Sequence, residues 1–249
     1  MPNYKHYNKA PIIEAIIDVR FLEPLTDKSI KKLSNKINKF FPIQIPHFER
    51  KVNLEIDNKG KVNVHEDDNQ IGFKLHSQDS ENILTLLPAQ LVLSKMAPYD
   101  CWVSFFGLFC EIWKELSKIH KVRSCTRVAT RYINRIDIPV TNKSQTINIA
   151  EYLNVGIISP EEQDIEGYEA AMGLRIGDDL KALVRTATAS PSIPSTAALI
   201  LDIDVYKNIN LPRTDDEIFS LLSEFREKKN KLFEMYVTDK SRTLFDGEI

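Results

Sequence analysis

Three arginines, Arg127, Arg131 and Arg135, recur at every fourth position of one extended stretch, residues 126–139. Side chains of a strand alternate between faces, so the three guanidinium groups point the same way, about 13 Å apart. Three cations in a row require anionic partners, either the protein's own carboxylates or a bound anion. Arginine is the residue that grips carboxylate and phosphate with two parallel hydrogen bonds. Alternation in the other strands adds Glu14, Asp18, Arg175, Arg185, Asp202 and Asp204 to the same face. One reading is a ladder of cross-strand ion pairs. The other is a ligand-binding surface formed by Arg127, Arg131, Arg135, Arg175, Arg185, Asp202 and Asp204. Such a surface suits a phosphorylated ligand, a single-stranded nucleic acid or an acidic peptide. Tyr132 and Asn134 alternate to the opposite face, where a buried asparagine needs partners.

The search for catalytic patterns is negative. The chain has no nucleophile elbow, P-loop, dinucleotide fingerprint or zinc-protease motif. Its five histidines, His6, His47, His65, His76 and His120, are scattered, and none pairs at metal-ligand spacing. Asp202 and Asp204 stand on one face and could share Mg²⁺, but the arginines are the nearer fit. Cys125 lacks an identifiable base. The expectation is therefore no catalytic residue, no metal and no cofactor.

The elements that would position these residues follow from periodicity. Residues 12–21 alternate Ile13, Ala15, Ile17, Val19 and Phe21 against Glu14, Asp18 and Arg20, a strand with one buried face. Thr26 or Asp27 caps a predicted helix running to about Phe41, ended by Pro42 and Pro46. Short strands follow at 51–56, 61–65, 71–77, 82–87 and 91–95, with 57–60 and 66–70 as turns. Trp102, Phe105, Phe106, Phe109, Ile112, Trp113, Leu116 and Ile119 describe an amphipathic helix over 101–119, capped by Asp100. Its aromatic stripe reads as core, with a dimer or partner surface as the alternative.

The second half repeats the order: strand 126–139, short helix 146–153, hairpin 168–176 and 180–188, strand 198–206, and a helix 214–236. That last helix opens on the capping box Thr214-x-x-Glu217. The acidic segment 160–166 reads as a solvated loop that could fold over the arginine row. The fold class expected is α+β in two similar halves, 1–120 and 121–249, tightly packed. Each is strand, helix, antiparallel strands and long helix, with helices on one sheet face.

The 249 residues are 43% hydrophobic and 27% charged, with a net charge of −2. Residues 1–120 hold 16 basic and 15 acidic side chains, and the remainder 17 and 20. Neither half is a basic module, which argues against general duplex binding. Three cysteines at unrelated spacings read as reduced thiols. The polar first nine residues and the lack of a long apolar run predict a cytoplasmic protein without a membrane span.

The motifs have a resemblance as well. P-x-x-E-A (Pro11, Glu14, Ala15), W-x-x-F (Trp102, Phe105), R-Y-I-N-R-I (131–136), L-x-L-D-I-D-V (Leu199, Leu201, 202–205) and F-E-x-x-x-T-x-x-x-R-x-x-F (Phe233, Glu234, Thr238, Arg242, Phe245) span nearly the whole chain. Together they resemble a sporadically distributed family of functionally uncharacterised prokaryotic proteins of about this length. The resemblance implies a mobile or defence-linked gene and brings no reaction. The functional expectation is a non-enzymatic binding or regulatory protein acting with a protein partner, as in a toxin–antitoxin or phage-defence module. The alternative is nucleotide or RNA binding, or processing, through the arginine-lined face. An enzyme with its site in the ionic sheet ranks third, and a homodimer is compatible with each.

Overall fold

The computed structural model describes residues 7–56, 62–120, 124–140, 147–156 and 167–246. The first half contains β1 (Ile12–Phe21), α1 (Asp27–Lys36), β2 (Ile43–Ile56), β3 (Val62–His76), β4 (Asn82–Leu87), β5 (Gln90–Met96) and α2 (Trp102–Ile119). The second contains β6 (Cys125–Pro139), one 3-10 turn (Ile149–Glu151), β7 (Glu169–Arg175), β8 (Lys181–Ala189), β9 (Thr196–Lys207), α3 (Asp215–Tyr236) and α4 (Asp239–Asp246). The strands form one nine-stranded sheet in the order β2-β3-β4-β5-β1-β6-β9-β8-β7. Every pairing is antiparallel. The class is thus α+β.

β1 and β6 form the seam between the halves. Each lies beside the last strand of its own half, β5 and β9, and they pair with each other. Alternation decides what the seam buries. Ala15, Ile17, Val19 and Phe21 of β1, Val128, Tyr132 and Ile136 of β6, and Leu199, Leu201, Ile203 and Val205 of β9 are all buried. They pack beneath α2 and α3, which run antiparallel to each other: Trp102 lies near Arg226, Phe106 and Phe109 meet Phe219 edge-on, and the Trp113 indole donates to Asp215 at 2.9 Å. Removing a buried side chain such as Phe109 or Phe225 would cost about 3–5 kcal/mol.

Several sequence expectations are corrected. The first helix stops at Lys36, and a turn carries the chain to Phe41. Pro46 lies inside β2, which tolerates a proline because it is the sheet's edge strand. The polar segment 66–70 is no turn but the middle of the long β3. β3 pairs with β4 only from Phe73 to His76, so the rest of the β2–β3 pair continues as a two-stranded ribbon. Gly72 stands where the ribbon leaves the sheet. A Cβ there would come within 2.1 Å of the Leu86 carbonyl oxygen.

Asp100 is not the cap of α2. Cys101 occupies that position without a side-chain cap bond, and Asp100 accepts a hydrogen bond from the Ser104 hydroxyl. The helix of 146–153 reduces to a single 3-10 turn, and α4 has no counterpart in the sequence reading. The capping box of α3 is present in both directions. Residues 57–60 and the acidic segment 160–166 lie outside the described residues. Among the described residues, no helix is long and apolar enough to cross a membrane.

Candidate functional site: an ionic sheet face and a cationic cavity

The open face of the sheet brings most of the arginines and aspartates together, as closed ion pairs. Arg127 reaches across the seam in both directions. Its guanidinium donates to Asp18 of β1 at 2.5 Å and to both carboxylate oxygens of Asp204 of β9, at 2.9 and 2.7 Å. Arg20 adds a bond to Asp18 at 3.2 Å. Arg131 sits opposite Asp204 in register but grips Asp202 diagonally with two bonds, at 2.8 and 2.7 Å. Arg185 of β8 meets the same Asp202 at 3.3 Å.

Arg135 leaves this set. It donates to Asp137 on its own strand at 2.9 Å and to the Ser190 carbonyl at 2.8 Å. Arg175 stands exposed on β7, the far edge strand, with no ion pair among the described residues. The aspartates are deeply placed, with Asp202 3% and Asp204 9% exposed. Burial pushes the Asp204 carboxyl above its ordinary pKa, against the pull of Arg127. Asp202 raises the Arg131 guanidinium further. Chemically this is a clamp that ties β1, β6, β9 and β8 together.

The opposite, helix-covered face holds a cavity of about 240 Å³. Its floor is Tyr132 and Asn134 of β6, and its walls come from the start of β1, the β5–α2 connection and α3. The β5–α2 connection contributes Tyr99, Asp100 and Cys101, followed by Trp102 of α2. One face of α3 contributes Arg226, Lys229, Asn230, Phe233 and Glu234, at the three- and four-residue spacing that stacks side chains on a helix.

Lys229 is only 7% exposed. Among the described residues its ammonium has no ion pair and no hydrogen bond. Its neighbour is the Tyr132 ring, with Nζ 3.8 Å from the centroid. Burial, together with Arg226 one turn away, pulls its pKa down to about 7. Arg226 likewise has no carboxylate among the described residues and lies over the Trp102 ring.

The nearest acid on α3, Glu234, is held elsewhere. It accepts from the Tyr7 hydroxyl at 2.9 Å and from Arg242 at 3.1 Å. Burial, reinforced by Glu234, pushes the Tyr7 hydroxyl up to about 12. Burial also pushes Tyr99 up to about 12 and Tyr132 well above the ordinary range, so both phenols keep their protons. They share one hydrogen bond, 3.1 Å between oxygens, which uses one of two O–H donors. Asn134 is 1% exposed; its amide nitrogen donates to the Leu201 carbonyl at 2.9 Å, and its Oδ1 is buried without a partner.

Sequence reasoning placed Tyr132 and Asn134 on this face but passed over Lys229, Arg226 and Tyr99. A signal was present. The buried positions of α3 are Ile218, Leu222, Phe225, Lys229, Leu232, Phe233 and Tyr236; all but Phe233 follow a 4-3-4-3-4 spacing, with a lysine in an apolar place. Residues of the resemblance motifs, Pro11, Trp102, Tyr132, Asn134, Phe233 and Glu234, line the cavity. Among the described residues no cluster of three or more His, Cys, Asp or Glu could hold a metal ion.

No family model matches the chain, and no curated protein matches it. Among solved structures, it is similar to the crystal structure of DynU16, a protein of the dynemicin biosynthetic locus. That similarity covers 90% of this chain and 97% of that one, at 8% sequence identity and a TM-score of 0.19.

Proposed function

We propose that the protein binds a small organic anion in the cavity between β6, α2 and α3. One observation carries this reading: among the described residues Lys229 and Arg226 face the cavity without an ion-pair partner, its two carboxylates, Glu234 and Asp100, being bonded to Tyr7, Arg242 and Ser104, and the Asn134 Oδ1 beside them is unpartnered. A buried cation is tolerated when something pairs with it, and a bound anion would supply the pair. At about 240 Å³ the cavity holds roughly the volume of eight water molecules at about 30 Å³ each, or one small organic molecule. Trp102, Phe233 and the Tyr132 ring would take its apolar part.

The nucleotide or RNA reading of the arginine row is the weaker one, because Arg127, Arg131 and Arg185 already hold carboxylates. Titration with benzoate and phenylacetate, followed by tryptophan fluorescence in a Trp113→Phe background that leaves Trp102 as the reporter, tests the proposal. Saturable binding is expected. Arg226→Gln or Lys229→Met should weaken it by about tenfold or more, which is about 1.4 kcal/mol. Equal, non-saturating responses in all three proteins would refute it.

Two further parts of this reading concern architecture and partners. We infer that the halves are structural repeats: each flanks its first strand with its last and closes with a long helix, α2 or α3, on the same sheet face. Superposition of the halves should bring α2 onto α3. The regulatory role with a partner, in a toxin–antitoxin or phage-defence setting, rests on the motif resemblance.

For the homodimer the support is the β2–β3 ribbon. Phe48, Val52, Leu54, Val62 and Val64 fall on one side of it by register and are each more than half exposed. A two-stranded ribbon is marginal alone, and a second copy related by a two-fold axis would offer it a self-complementary apolar surface. Sedimentation should show a dimer that Leu54→Glu dissociates. A monomer at all concentrations would exclude it.

A further inference from the structure

We infer that Lys229 is an amine nucleophile that condenses with the carbonyl group of a small 2-oxo acid held in the cavity. This rests on the anion-binding reading above and names its ligand class. The geometry sets Lys229 apart from other lysines of the chain. Lys95, Lys118 and Lys240 are tied to Glu81, Glu115 and Glu151. Among the described residues Lys229 has no ion pair; its Nζ lies against the Tyr132 ring, and a second cation, Arg226, stands one turn away in the same cavity. An amine kept from water and placed beside another positive charge holds its nitrogen lone pair free at neutral pH, and the lone pair is what attacks a carbonyl.

The surroundings supply the other parts. Arg226, one turn before Lys229, is free to take the ligand's carboxylate with two parallel bonds. The spare O–H of the Tyr99–Tyr132 pair can donate to the carbonyl oxygen. Asn134 Oδ1 can accept from the amine or from the water that is released. The step balances without a redox partner. The Lys229 nitrogen adds to the carbonyl carbon, and the oxygen takes a proton to give a carbinolamine. A proton from solvent, passed through the phenol pair, then takes the hydroxyl off as water, and the nitrogen keeps its remaining hydrogen on a protonated C=N bond. The product is a cationic imine at the carboxyl-bearing carbon, an electron sink for loss of a proton from the adjacent carbon.

The test is reductive trapping on the full-length protein at pH 7, with pyruvate, 2-oxobutyrate and phenylpyruvate in turn and sodium cyanoborohydride as the hydride source. At least one acid should raise the intact mass by the mass of that acid less one oxygen atom. Peptide mapping should place the adduct on Lys229. It should form on the order of a hundredfold faster than adducts on exposed lysines, whose neutral fraction at pH 7 is far smaller.

Lys229→Met should lose the fast adduct, and lactate, which lacks the carbonyl, should slow it by competition. Fast labelling at Lys229 in the parent protein supports the inference even if the variant fails to fold. If benzoate or lactate binds the cavity and no acid labels Lys229 faster than exposed lysines, the imine is overturned and anion binding stands. If neither binding nor fast labelling occurs, both fall.

Discussion

The two faces of the sheet use the same side-chain chemistry to opposite ends. On the open face, Arg127, Arg131 and Arg185 are matched by Asp18, Asp202 and Asp204. Beneath the helices, Arg226 and Lys229 have no ion pair among the described residues, and the acids that line the same cavity are held by other groups, Glu234 by Tyr7 and Arg242 and Asp100 by Ser104. A satisfied network holds strands in place; an unsatisfied one in an enclosed space is stable only at a cost, which a ligand can offset. The contrast teaches that a conspicuous row of charges need not be the reactive part of a protein. The place to look is where the pairing is incomplete.

The contrast can be broken by mutation. The largest effect is expected at Arg127, whose side chain is 17% exposed and bridges two carboxylates 10% and 12% exposed. Arg127→Ala leaves Asp204 without its cation and Asp18 with Arg20 alone, so urea denaturation should show a loss of about 3–5 kcal/mol, with anion binding by the folded fraction intact. Arg131 is 38% exposed, and solvent screening reduces its contribution. Arg131→Ala should lower stability by about 1 kcal/mol or less. Equal losses at the two positions would contradict the clamp as drawn.

The cavity should respond with the opposite sign. Lys229 titrates near 7 in the folded protein and at 10.5 in the unfolded chain. Between those values the unfolded chain holds a proton that the folded one lacks, so this group makes stability rise with pH across that window and disfavours folding fully below it. Several charged or titratable groups line the same cavity: Arg226 and Glu234 from α3, Asp100, Cys101 and Tyr99 from the β5–α2 connection, Tyr132 from β6, and Tyr7.

Lys229→Met should therefore raise the melting temperature at pH 6 and flatten its climb between pH 7 and 10. A variant less stable than the parent at pH 6 would mean that the ammonium has a partner after all. The smallest effect is expected at Arg175, exposed on the edge strand and without an ion pair among the described residues, where Arg175→Ala should change stability by less than about 0.5 kcal/mol.

Much of the frame was legible because β-strands write their faces into the sequence with a period of two. Arg127, Arg131, Asp202 and Asp204 were assigned to one face on parity alone, and the register agrees. What parity could not give was partner choice. Arg135 turns to Asp137 and Ser190, a choice set by side-chain reach and not by spacing. The ribbon was misread because five polar residues, 66–70, look like a turn when no tertiary context shows an unburied strand. The cavity was the least legible. Its parts come from β6, α3 and a loop that precedes both in sequence, and only the fold brings Tyr99, Tyr132, Asn134, Arg226 and Lys229 together.

The most direct measurement is one binding titration, benzoate followed by isothermal calorimetry at pH 7, run on the parent protein, Lys229→Met and Arg131→Ala. The cavity account expects the parent and Arg131→Ala to bind alike, with Lys229→Met weaker by about tenfold or more. Binding that survives in Lys229→Met and disappears in Arg131→Ala would contradict it and return the function to the ionic face.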